Sequence, residues 1–409
     1  MGEMLSRRVA WSVALVATLT MTVSYVDRQT FAVLAPKVTE ALGISETGYG
    51  WLASAFSIAY LVSTPIAGWL IDRTGARRGL VGAVLTWSTI AALHALVPSF
   101  AVLFVLRIAL GLAEGPSFPG AAQTVQRVLE PAERARGFGL LFTGSSIGAM
   151  IAPPIAAHLY GAFGWRIAFL GTALVGLAWV PAWLLLTGRR DVTARLELAP
   201  VEVRAKPKFH ELLREPVMQR ALAGVFAAAI VPGFATVWAS KYLVLTHAIS
   251  QKAVGDYLWL PAVCLDAGAI AFGDLASRLP RTAGAPPRFL YACAVLLVAP
   301  LVMLPYAVTP WHAMALIGCA SAGGGALYTL CTSDLLSRLR PEIVAFAGGT
   351  LAGAQSLALI IANPIIGAAV DHLDNYDAVA RAVAVWAIPG SLIWLLWRPR
   401  TSERLGPQV

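Results

Sequence analysis

The sequence predicts an all-α integral membrane protein with twelve transmembrane helices in two six-helix bundles, and three observations carry that prediction. Of its 409 residues, 58% are hydrophobic and 13% charged, with a mean hydropathy of +0.70, far from the mixture of a soluble globular domain. Apolar runs of about 20 residues, the length that crosses a hydrocarbon core, recur six times on each side of one polar stretch. The halves also echo each other. GWLIDR at Gly68–Arg73 answers GDLASR at Gly273–Arg278, and IAPPI at Ile151–Ile155 answers IANPI at Ile361–Ile365, at offsets of 205 and 210 residues.

The runs fall at 11–35, 48–71, 79–97, 101–126, 136–160 and 165–187, then at 218–245, 254–277, 288–308, 311–336, 343–370 and 379–397. Residues 1–187 are expected to form the first bundle, 188–217 a cytoplasmic central loop, 218–397 the second bundle and 398–409 a cytoplasmic tail. Arg7 and Arg8 before the first run have the polarity of a signal peptide, but no small-x-small cleavage site follows, which predicts an uncleaved first helix. With the amino terminus in the cytoplasm, 24 of the 31 Lys and Arg fall inside, eight of them between Arg189 and Arg220. Five lie outside: Lys37, Arg166, Lys241, Lys252 and Arg381. The positive-inside rule then places both termini and the loop around Arg204 in the cytoplasm, with a bacterial inner membrane as the expected location. Because the formal +9 charge is scattered between apolar runs, it reads as topology and not as a nucleic-acid surface.

Only Arg28 and Arg107 are left at membrane depth. Arg28 follows Asp27 inside SYVDRQT of the first run, where a central charge costs about 2.5–3.5 kcal/mol and therefore faces a bundle interior or a watery cavity. In the fourth run Arg107 and Glu114 are seven residues apart, which is nearly two turns and about 10 Å along one helix face. A purely structural ion network would also balance these two acids and two bases. Buried ion pairs are weak stabilisers, however, so four such groups at one depth point to use. Guanidinium is a planar fork suited to carboxylate oxygens, which makes Arg28 and Arg107 candidates to hold an anion. Desolvation raises a carboxyl pKa and a neighbouring arginine lowers it, so Asp27 and Glu114 are candidates for proton coupling. Glu114 is the first choice, with Asp27 expected mainly to hold Arg28. Tyr60 and Thr64 in the second run can bond substrate hydroxyls. From the second half come Lys241, Tyr242, Asp266 and Gln355, which offer polarity without a second charge quartet. Lys241, near an outer helix end, could equally snorkel to the interface.

The loop GWLIDRTGARRG after the second run resembles the signature of the major facilitator superfamily. There Gly68 would permit close helix approach, Asp72 is the carboxylate at the helix end, and Arg73, Arg77 and Arg78 form the basic turn. The resemblance implies that Asp72 helps latch the halves together, with Arg127 as its partner. A more specific similarity, running through nearly all the spans, is to the sugar-acid branch of the anion:cation symporter family, the hexuronate and hexonate importers. It rests on YVDR at Tyr25–Arg28, SAF at Ser54–Phe56 with Tyr60, RIALGLAEGPSFPG from Arg107, GWRIAF from Gly164, WASKYL at Trp238–Leu243, PAVCLDAG at Pro261–Gly268, and Ser333 with Asp334. It implies a major facilitator fold with inverted repeats, proton-coupled uptake of a small organic anion by alternating access, a functional monomer, and Tyr25 beside Arg28 in the substrate site. Many relatives carry Gln where Thr64 stands and Pro where Ser240 stands, so the polar inventory differs here.

Other classes find little support. Cys264, Cys293, Cys319 and Cys331 sit in or beside apolar runs without C-x-x-C spacing and read as packing residues. His94, His158, His247, His312 and His372 lie near outer helix ends and His210 in the central loop. None forms a ligand pair, so no metal or cofactor is expected. HELLR at His210 lacks a second histidine, and no G-x-x-x-x-G-K-[ST] is present, which argues against an enzyme and against ATP drive. The alternative is a proton antiporter exporting drugs or metabolites, but GAMIAPPIA at Gly148–Ala156 lacks the terminal glycines of that class. Sodium in place of the proton and a transporter-like sensor are lesser alternatives.

Overall fold

The computed structural model describes residues 5–196, 209–280, 287–339 and 341–399. Arg204, Lys206, Lys208, Arg281, Arg340, Arg400 and Arg404, part of the charge count above, lie outside them. Among the described residues every regular element is helical. Eleven helices among the described residues are long and apolar enough to cross a membrane, and the longest contains two of the expected twelve spans.

That helix is α6, after α1 (Arg7–Leu42), α2 (Glu46–Thr74), α3 (Ala76–Leu93), α4 (Phe100–Glu114) and α5 (Ser117–Val128). α6 (Pro131–Thr187) is interrupted at Gly164, where φ is 81° and ψ 171°, a conformation that glycine adopts without a Cβ penalty. A Cβ built on Gly171 would come within 2.7 Å of Leu159 Cδ1, so the chain doubles back and α6 is a hairpin of two spans. Both limbs grip α1. On the first, Gly144 and Gly148 face Thr18 and Thr22 so closely that an added Cβ would lie 2.6 and 2.5 Å from their carbonyl oxygens. Thr22 Oγ1 donates to Gly144 O at 2.9 Å. This is the small-xxx-small contact by which membrane helices approach without a hydrophobic driving force. The second limb donates Trp179 Nε1 to Val16 O at 2.7 Å and Trp183 Nε1 to Arg77 O at 3.1 Å.

The fourth run, expected as one helix, is divided because Pro116 has no N–H for the Leu112 carbonyl. Ser63 Oγ of α2 donates to that oxygen at 2.6 Å. The exchange fixes α2 against α4 at Gly111 and Gly115, where a side chain would overlap Phe56 O and Ser63 Oγ. A Cβ on Gly68 meets only Pro119 Cβ at 4.0 Å; close approach therefore belongs to Gly111 and Gly115, correcting the reading of Gly68.

After two short helices in the central loop, α7 (Arg190–Leu196) and α8 (Phe209–Arg214), come α9 (Pro216–Val237), α10 (Ala239–Thr246), α11 (Gly255–Arg278), α12 (Arg288–Val298) with a 3₁₀ extension over Ala299–Tyr306, α13 (Pro310–Leu336), α14 (Pro341–Leu373) and α15 (Asp377–Leu396). The chain divides into two compact units, Met1–Val201 with Ile249–Trp259, and Glu202–Ala248 with Leu260–Val409. In the second unit glycines again admit neighbours: side chains at Gly268 and Gly325 would overlap Ala322 and Leu265 backbone, joining α11 to α13. Trp238 Nε1 donates to Asn363 Oδ1 at 3.0 Å, joining the end of α9 to α14.

Candidate functional site

The charged residues of the first unit meet where α1, α2 and α4 pack. Successive residues of a helix point about 100° apart, so Asp27 and Arg28 cannot serve one place, whereas Ser24 and Arg28, four apart, share a face. Ser24 Oγ donates to Glu114 Oε2 at 2.7 Å and Arg28 Nε to the same oxygen at 2.6 Å. Glu114 is fully buried. The Arg28 guanidinium carbon stands 4.2 Å from the Tyr60 ring centroid, 4.9 Å from Tyr25 and 5.0 Å from Phe56, a three-sided aromatic wall that favours a cation. Its Nη2 is buried without a partner, as is Glu114 Oε1.

Asp27 makes no hydrogen bond to Arg28, although the arginine's charge acts on it. Asp27 lines a narrow cavity between α1, α3, α4 and α6, too tight for a water molecule, together with Phe31, His94, Arg107, Leu110 and Phe169. Both of its carboxylate oxygens are buried without a hydrogen bond. Arg107 enters from α4, its guanidinium carbon 4.3 Å from Phe31 and 4.6 Å from Phe56, and its Nε reaches only Leu52 O at 3.4 Å. Arg107 Nη1 has no partner. Phe56 is thus wedged between the two arginines and separates them. Of the four charged groups, Arg28 and Glu114 are engaged with each other, whereas both Asp27 oxygens and Arg107 Nη1 have no hydrogen-bond partner.

Thr64 turns inward on its own helix, donating Oγ1 to Tyr60 O at 2.8 Å. At the end of α2, Asp72 accepts from Gln123 Nε2 at 2.8 Å. Arg127 makes no hydrogen bond to Asp72, although the Asp72 charge acts on it; Arg127 Nη1 donates to Leu196 O and its own carbonyl accepts from Arg195 Nε at 3.2 Å, which docks α7. Arg73 lies 3.9 Å over the Trp69 ring, Arg77 supplies its carbonyl to Trp183, and Arg78 is exposed.

In the second unit Lys241 is buried, at 2% exposure, and does not snorkel. Tyr242 Oη lies 3.2 Å from His247 Nε2 and 3.3 Å from Leu304 O. Burial holds the His247 imidazole below its ordinary pKa, and with the phenol hydrogen directed at Leu304 O a neutral ring can donate Nε2–H to Tyr242 Oη. Asp266 on α11 and Gln355 on α14 are partly exposed.

Sequence reasoning missed a buried network in this unit. Arg220, counted with the central-loop charges, is the fifth residue of α9 and only 3% exposed. Its Nη1 donates to Asp334 Oδ2 at 2.7 Å, and Nε and Nη2 to Trp394 O at 2.9 and 2.8 Å. Arg338 Nε takes the other Asp334 oxygen at 2.8 Å. The second half therefore does carry a charge cluster. Arg220 lies 114 residues from Asp334, so no spacing signal joins them, although Asp334 and Arg338 stand at i,i+4. Phe31 and His94 were missed for the same reason, since their importance comes from neighbours on other helices.

Long apolar helices packed through glycines, with a buried and incompletely paired charge cluster, define a polytopic membrane protein. The chain belongs to the Major Facilitator Superfamily, whose profile matches residues 17–363. It is 28% identical over 405 residues to the hexuronate transporter of Escherichia coli strain K12, covering 94% of this chain and 92% of that one. It is 25% identical over 419 residues to a probable galactarate/D-glucarate transporter of Bacillus subtilis strain 168, covering 95% and 91%. Among solved structures it resembles a bacterial homolog of the human lysosomal transporter Spinster, crystallised inward-facing and unoccupied, with a TM-score of 0.77, 19% identity and coverage of 96% and 97%.

Proposed function

We propose that this protein is a proton-coupled symporter that takes up a sugar acid or a closely related carboxylate by alternating access, in a bacterial inner membrane with both termini in the cytoplasm. The observation that carries the reading is the incomplete pairing of the first-unit charges. Arg28 presents an unpaired Nη2 inside an aromatic wall. A substrate carboxylate can take that edge, and aromatic faces suit the C–H faces of a sugar-derived chain. The transporters of hexuronate and of galactarate or glucarate to which the chain is similar support this class of anion.

Proton coupling falls to Asp27 and Glu114, in an order that reverses the sequence expectation. Glu114 already accepts two hydrogen bonds through Oε2, one of them from the Arg28 cation. Asp27 is a buried acid without a partner, and therefore the better place for a proton. Ionised, it has Arg107 to pair with; protonated, it frees Arg107. Arg28 and Arg107, with Tyr25, Tyr60 and Thr64, are the substrate-binding candidates of the first unit. Asp72, Arg73, Arg77, Arg78 and Arg127 are assigned to gating at the cytoplasmic helix ends.

Uptake into proteoliposomes tests this. Labelled galacturonate, galactonate and glucarate should be tried under an inward proton gradient, an inward sodium gradient and neither. Accumulation of at least one acid with protons alone is the expected result. No uptake of any of the three, or accumulation only with sodium, would overturn the reading.

A further inference from the structure

At the end of α3 the helix tightens into a 3₁₀ turn over His94–Leu96, and the backbone amides there donate to Ala91 and Ala92. The Ile90 carbonyl, passed over by these bonds, lies 2.8 Å from His94 Nδ1. A carbonyl can only accept, so Nδ1 carries the hydrogen and the neutral ring is left with Nε2 as a lone-pair acceptor. The ring cannot easily reorient. It is 1% exposed and packs on Phe169 with centroids 5.4 Å apart. Nε2 is buried without a partner, and His94 borders the same cavity as Asp27 and Arg107.

This cavity therefore brings together one acid, one fixed acceptor and one cation. The other charged groups around Asp27 are Arg28 on its own helix and Glu114 on α4, and Tyr49 on α2 lies near Arg107. Arg28 and Glu114 are engaged with each other. α6 contributes no charge to the cavity, only Phe169 and Thr172, and the Thr172 hydroxyl donates to Ala168 O at 3.1 Å on its own helix. A proton on the ring would add a second cation beside Arg107, whereas a proton on the carboxyl oxygen removes a buried charge.

Resting on the reading of Asp27 as the proton-carrying acid, we propose that His94 is a positioning residue that holds the protonated form of Asp27, accepting its carboxyl O–H at Nε2, while Arg107 holds the ionised form. Proton uptake at this site then switches Asp27 from one partner to the other. The histidine neither gains nor loses a proton.

Infrared difference spectroscopy of the purified full-length protein tests this without any substrate. The titrating carboxyl C=O band that disappears in Asp27→Asn is assigned to Asp27, and its midpoint pH is measured in His94→Phe and His94→Gln. Phenylalanine keeps a ring but removes the acceptor, and the midpoint should move to lower pH by about one unit, a tenfold loss of proton affinity. Glutamine restores an acceptor near Nε2 and should return the midpoint toward the parent value. If His94→Phe packs poorly, His94→Leu serves with the same expectation. A midpoint unchanged in folded His94→Phe or His94→Leu would overturn the role of His94 and leave the proton reading intact. If Asp27→Asn deletes no titrating band, the proton reading itself fails, and this proposal with it.

Discussion

Two buried ion pairs of nearly equal length, Arg28 with Glu114 at 2.6 Å and Arg220 with Asp334 at 2.7 Å, do opposite things. Around Arg220 every guanidinium nitrogen is engaged and both Asp334 oxygens are taken. Around Arg28 and Arg107 five buried atoms are not: both oxygens of Asp27, Arg28 Nη2, Arg107 Nη1 and Glu114 Oε1. A satisfied buried network rigidifies its surroundings, and an unsatisfied one stores free energy that a ligand or a proton can release. The difference teaches which charges are scaffold and which are available for work, although length and burial alone would class them together.

The largest expected effect is on stability in the second unit. Asp334→Ala strands Arg220 in an apolar interior, and the loss of one partner of a buried pair costs about 3–5 kcal/mol. A fall in melting temperature, or loss of a monodisperse peak on size-exclusion chromatography, is the readout. Asp27→Asn should do the reverse. It replaces an unpaired buried acid with a neutral amide, so melting should be unchanged or higher, while proton-driven accumulation is lost and exchange of labelled for unlabelled galacturonate persists. Should Asp27→Asn melt as low as Asp334→Ala, the contrast between the two clusters is broken.

Arginine chemistry gives a smaller and sharper test. Arg28→Lys keeps the charge but loses the planar fork, and substrate binding should weaken by about tenfold or more, read from the concentration dependence of exchange. Normal affinity in this variant would show that charge alone suffices. The smallest effect is expected at Ser24. Its hydroxyl is one of two donors to Glu114 Oε2, and Ser24→Ala should cost about 1 kcal/mol in thermal stability, with Arg28 still in place. A loss as large as that of Asp334→Ala would mean that the first cluster is scaffold too.

The positions of the spans were legible because the bilayer imposes a length and a polarity on any segment that crosses it, whatever its neighbours. The expected break between 160 and 165 falls at Gly164, and the significance of Asp27, Arg28, Arg107 and Glu114 followed from the cost of charge at depth. The sequence by itself thus determined the class, the membership in a superfamily and which four residues to examine. Only the tertiary structure decided their pairing. Ser24 and Arg28 reach Glu114 across 90 and 86 residues, Asp27 lines the same space as His94 and Arg107, Gln123 hydrogen-bonds to Asp72, and Arg220 is buried in the interior. Span position is written in local hydrophobicity, read one segment at a time. Partner choice depends on the rotation of each helix about its axis, and that is set by where glycines such as Gly111, Gly115, Gly144 and Gly148 let neighbouring backbones meet.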